Sequence, residues 1–144
     1  PSRVFALLDR DPVFGTDRQG SVVADFGDGR QLSFLVSTQL VPHQSLEIVG
    51  ATGRVEMIIP FNAPQGEATA LLVDRGHSFD GTLARREVFA PSDQYTEMTE
   101  AFALAALGKR ELPYGIEDSI KGSAVLDAVF ASERASGWAP VKHH

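Results

Sequence analysis

The chain contains no cysteine. Disulfides, thiolate nucleophiles and cysteine-bound zinc are therefore excluded, and the composition fits a reducing, cytoplasmic setting. Basic residues are few: 13 Lys and Arg against 19 Asp and Glu give a formal charge of −6. Only Arg85-Arg86 and Lys109-Arg110 are adjacent. A nucleic-acid partner needs a concentrated basic face, so none is expected. No apolar run approaches the ~20 residues that span a bilayer, and no signal-peptide pattern stands out, so no membrane partner is expected either. The internal histidines, His43 and His77, lack a second histidine at ligand spacing, which argues against zinc. No nucleotide phosphate loop, zinc-protease helix or nucleophile elbow is present. The start at Pro1 without Met suits an excised fragment, although processing would give the same start. The closing His143-His144 reads as the beginning of a purification tag.

What remains is an ordinary globular composition, 43% hydrophobic and 22% charged over 144 residues, which the length prior assigns to one domain. The clearest local pattern is Ser45 to Asn62. Leu46, Ile48, Val55, Met57 and Ile59 alternate with Glu47, Arg54 and Glu56, and Gly50 and Gly53 bracket the reversal of a hairpin. Further strands are expected at Arg3–Asp9, Ser21–Phe26, Gln31–Thr38, Ala68–Asp74 and Ala84–Phe89. Gly27-Asp28-Gly29 turns the second into the third, and residues 10–20 read as a loop holding Asp11, Asp17 and Arg18. Short connections imply a largely antiparallel sheet.

The periodicity then becomes helical. Gln94–Leu107 carries Tyr95, Met98 and Phe102 at helical spacing, is capped by Ser92 or Asp93, and stops at Gly108. Ile116–Ala135 opens with Glu117-Asp118 and stops at Gly137, with Trp138 folding back on its end. Strands followed by helices define an α+β fold: an open sheet with two C-terminal helices on one face. That covered face would hold Val22, Ala24, Phe26, Leu32, Phe34, Val36, Leu46, Ile48, Val55, Met57 and Ile59. The opposite face mixes Val23, Leu35, Val49 and Ile58 with polar residues. A half-apolar free sheet face implies an interface, and a symmetric homodimer is the simplest closed solution.

No catalytic constellation emerges. Gly27-Asp28-Gly29 joins two strands, and Leu32 stands where a dinucleotide fingerprint needs its third glycine. His43 lies in the connection Gln39–Gln44, where it is either a satisfied loop residue or a ligand contact. Asn62 is a turn residue or a contact. Tyr95 packs in the core or turns its hydroxyl to a site.

Taken in order, several segments resemble the C-terminal domain of Gfo/Idh/MocA-type oxidoreductases. Arg3-Val-Phe-Ala6 looks like the strand after the catalytic helix of that family. Glu47-Ile-Val-Gly50 through Gly53-Arg54 is similar to its Glu-Ile-x-Gly-x-x-Gly-Arg element, and Tyr95 through Lys109 to a helix ending in a Gly-Lys pair. Pro113 through Trp138 resembles its closing helix. The resemblance implies the substrate-binding and oligomerisation half of an NAD(P)-dependent oxidoreductase acting on a sugar, polyol or related small molecule. The family's Rossmann glycines, its catalytic lysine and its Asp/Tyr-x-x-x-His pair have no counterpart here. NAD or NADP is therefore expected of a full-length parent with an N-terminal Rossmann domain, and none is expected to bind this chain. The resemblance carries substrate contacts to Gln39, His43 and Tyr95, with Phe61 and Asn62 as further candidates; it carries no catalytic residue. The alternative is a stand-alone, non-catalytic ligand-binding or assembly module of the same fold.

Overall fold

The computed structural model describes residues 1–76 and 79–142. His77, His143 and His144 lie outside the described residues, and with them the readings placed there. The elements run β1 (Arg3–Arg10), β2 (Asp17–Asp25), β3 (Gln31–Ser37), β4 (Ser45–Gly50), β5 (Gly53–Ile58), β6 (Thr69–Asp74), β7 (Arg85–Phe89), α1 (Gln94–Ala106), α2 (Ile116–Ala135) and β8 (Ala139–Pro140). They form two compact units, one of Pro1–Val41 with the chain from Pro113 onward, the other of Pro42–Leu112. The α+β class stands. The strands, however, make two four-stranded antiparallel sheets, ordered β3-β2-β1-β8 and β4-β5-β6-β7.

In the first unit α2 packs on β1 and β8. It can lie close because its inward stripe is small: Ala124, Ala128 and Ser132 follow one another at four-residue intervals and all are buried. Together with Val129 and Val141 they cover Val4, Ala6, Val22 and Ala24, which alternation along β1 and β2 places on one face. The outer edge of β1 is paired with β8 only at Arg3 and Val4. Further along, Ser132 takes over. Its Oγ accepts from the Ala6 amide at 2.9 Å and donates to the Gly137 carbonyl at 2.6 Å, with Ser132 fully buried. Arg10 clamps the same helix through both oxygens of Glu133. Trp138 does fold back: its ring meets Phe5 at 5.9 Å between centroids and lies 4.6 Å beneath the Arg3 guanidinium. The turn after α2 is made by left-handed Ser136, one residue before the expected stop at Gly137.

Two expectations fail here. Residues 10–20 are not all loop, because β2 already starts at Asp17, and Arg18 reaches back to Asp9 at 2.6 Å to pin it beside β1. The expected covered face is also mostly bare. Only Val22 and Ala24 are buried; Leu46 and Val55 are half-buried, and Phe26, Leu32, Phe34, Val36, Ile48, Met57 and Ile59 are exposed. The reason lies in the helices. One helix can shield about two strands, and the other, α1, buries none of its residues.

The second unit shows the expected alternation as paired rows. Leu46 faces Met57 and Ile48 faces Val55, while Glu47 faces Glu56. The polar row converges on Arg54, which meets Glu47 at 2.5 Å, Asp74 at 3.5 Å and Glu56 at 3.8 Å. The hydrogen bond to Glu47, aided by its charge and that of Asp74, holds the Arg54 guanidinium more firmly protonated than usual.

Candidate functional site

The candidate residues gather where β5 ends. Beyond Ile58 the chain turns through Ile59, Pro60 and Phe61 to Asn62, with no further ladder to bind its amides. A side chain supplies what the ladder does not. Gln44, the residue before β4, accepts with Oε1 from the Phe61 amide at 3.2 Å and the Asn62 amide at 3.3 Å. From the other side Gln94, the first residue of α1, donates its Nε2 to the Phe61 carbonyl at 3.2 Å.

The start of α1 is itself fixed. Asp93 caps it, its carboxylate accepting from the Tyr95 and Thr96 amides and from the Thr96 hydroxyl. These bonds, the Thr96 hydroxyl foremost, hold the Asp93 carboxyl below the usual carboxylate range. Of the two cap residues read from the sequence, Asp93 is the one that acts; Ser92 bonds to Glu97 instead.

Gln44 and Gln94 thus bring Phe61, Asn62 and Tyr95 to one locality, with His43 adjoining Gln44 along the chain. Phe61 is 65% and Tyr95 58% exposed, so neither ring is a core residue. A shallow depression along α1 is lined by Tyr95, Thr96, Thr99, Glu100 and Ala103. Gln39 belongs to the other unit, where its backbone N–H donates to the Ser37 hydroxyl at 3.0 Å.

Chemically the locality offers two exposed rings, side-chain amides and hydroxyls. Such groups stack on and hydrogen-bond a polar ligand. Among the described residues no three His, Asp or Glu side chains gather to hold a metal, and no helix is long and apolar enough to cross a membrane. Gln44, Gln94 and Thr99 were not singled out from the sequence. An isolated glutamine beside a strand carries no motif, and its partner lies 17 residues away.

No protein-family profile matches the chain. Over 141 residues it is 36% identical to "Uncharacterized oxidoreductase ORF334" of Rhizobium meliloti, covering 98% of this chain and 42% of that protein. Its fold superposes on KijD10, a 3-ketoreductase from Actinomadura kijaniata solved with NADP, with a TM-score of 0.79 at 22% identity. That match covers 90% of this chain and 40% of the other. This chain has the fold of a C-terminal fragment of oxidoreductases. The aldose–aldose oxidoreductase of Caulobacter crescentus, solved with glycerol, matches over 97% of this chain and 41% of its own, with a TM-score of 0.73 at 17% identity. The chain thus spans less than half the length of each of these oxidoreductases. The resemblance carried by Ser45–Asn62 and the segments around it is borne out.

Proposed function

We propose that the chain is the substrate-binding and dimerisation part of a cytoplasmic NAD(P)-dependent oxidoreductase acting on a sugar, polyol or related small molecule. The observation that carries this is the 36% identity over nearly the whole chain to a protein named as an oxidoreductase and more than twice as long. The aldose enzyme and the NADP-bound ketoreductase of the same fold support the substrate class and the cofactor.

Hydride transfer then belongs to an N-terminal Rossmann domain of the parent, and this chain alone is inactive. Its own residues do not fit a dinucleotide. Gly27-Asp28-Gly29 closes an antiparallel hairpin between β2 and β3, with no helix following to face a pyrophosphate. Both helix starts carry carboxylates, Asp93 at α1 and Glu117 with Asp118 at α2, which repel phosphate. In this reading Phe61, Asn62, Tyr95 and His43, all of the second unit, contact the substrate and orient it without moving its proton.

Titrating the chain with D-glucose, as a representative aldose, should shift the ring resonances of Phe61 and Tyr95, while NADPH leaves them unmoved. Rings indifferent to glucose would remove the substrate part of the proposal.

The dimer forms through the free face of the first sheet. The face opposite α2 presents Phe5, Leu7, Val23 and Leu35 around Ser21 and Ser33, and Leu35 stays 56% exposed. An isologous contact would cover these residues with their own copies. The chain should sediment as a dimer, and Leu35→Asp should weaken association at least tenfold with its circular dichroism unchanged. An unsubstituted chain that stays monomeric at high concentration would rule the dimer out.

A further inference from the structure

Ile59 stands apart from the other residues with positive φ. At +55° its backbone is left-handed, as are Asp28 and Ser136, but Ile59 is β-branched. A branched Cβ in this region crowds the following carbonyl, a clash that short polar side chains tolerate better. Pro60 follows directly, and a proline ring further restricts the residue before it. Such a conformation persists only where its surroundings over-determine it. Here the surroundings are the two amides. Gln44 replaces the missing ladder by accepting from two successive backbone N–H groups, and Gln94 holds the intervening carbonyl from a capped helix start.

We propose that Gln44 and Gln94 are positioning residues, whose side-chain amides hold the strained Ile59–Asn62 turn so that Phe61 and Asn62 are presented beside Tyr95 to the ligand. What is presented rests on the substrate-site reading above; the clamp does not. Gln44 acts as an acceptor, and this distinguishes it from a residue that merely fills space. Leucine matches its bulk without accepting, while a glutamate carboxylate accepts as well as the amide does.

The test is amide hydrogen exchange of the whole chain by NMR, with and without D-glucose. Gln44→Leu should speed exchange of the Phe61 and Asn62 amides roughly tenfold, the effect of losing one net hydrogen bond. The β5–β6 ladder should keep its protection, which shows that the sheet is intact. Gln44→Glu should restore slow exchange and, with it, the glucose response of the Phe61 and Tyr95 rings. Gln94→Leu, an exposed substitution that cannot unfold the sheet, should loosen the same turn independently. Unchanged exchange in both leucine variants would overturn the proposal, as would fast exchange in Gln44→Glu. If Gln44→Leu frees the amides while glucose never moves the rings, the clamp stands and the sugar-site reading falls.

Discussion

Gly53→Ala should lower stability by about 3 kcal/mol and the unfolding midpoint by more than about 10 °C. Gly53 opens β5 and pairs with Gly50 across the hairpin, so a turn requirement is the obvious explanation for it. The decisive contact is elsewhere. A Cβ on Gly53 would lie 2.4 Å from the Asp74 carbonyl oxygen and 3.3 Å from the Arg75 Cα, both backbone atoms of the neighbouring strand end. Rotamer changes cannot relieve such a clash, and the φ of +157° disfavours any side chain as well. The β5–β6 ladder, pinned by Arg54 opposite Asp74, would have to open. Gly50→Ala is the matched control, because its Cβ would meet only the Gly53 carbonyl at 3.6 Å. It should change stability by less than about 0.5 kcal/mol. Urea unfolding of the two variants measures the contrast, and equal midpoints would refute it.

The second large effect is expected at Ser132. Ser132→Ala removes no apolar packing, yet it leaves the Ala6 amide and the Gly137 carbonyl without their shared hydroxyl. A buried donor left unpaired costs about 1–3 kcal/mol, so we expect a loss of about 2 kcal/mol in denaturant unfolding. Ser123→Ala on the same helix removes only an exposed bond to the Ser119 carbonyl and should be neutral or slightly stabilising, since alanine favours helix. A Ser132→Ala protein as stable as its parent would show that water replaces the hydroxyl.

Most of the local structure could be read directly from residue patterns. The strand from Gln31, the Ser45–Ile58 hairpin and both helices lie within a residue or two of where alternation and capping placed them. These signals are local. What escaped was set by partners distant in sequence. β2 extends to Asp17 only because β1 lies beside it. β8 is two residues long and exists only through pairing with Arg3 and Val4. Ser132 was not singled out, because nothing near it in sequence marks it as the partner of an amide 126 residues away. The candidate residues come together only in part, since Gln39 lies in the other unit. Tyr95, Phe61 and Asn62 were singled out and come to one locality, whereas the two glutamines that hold the turn were not. The bare apolar face was misread for another reason: counting helices does not reveal how many strands each one covers.

The short β8 also has a consequence for growth of the first sheet. A strand edge with free amides and carbonyls recruits another strand, and chains that add edge to edge continue into fibrils. On the β1 side that route is closed. β8 occupies the first two positions, and Ser132 then spends the Ala6 amide on a helix, which no incoming strand can copy. A strand arriving at those positions finds no template to extend.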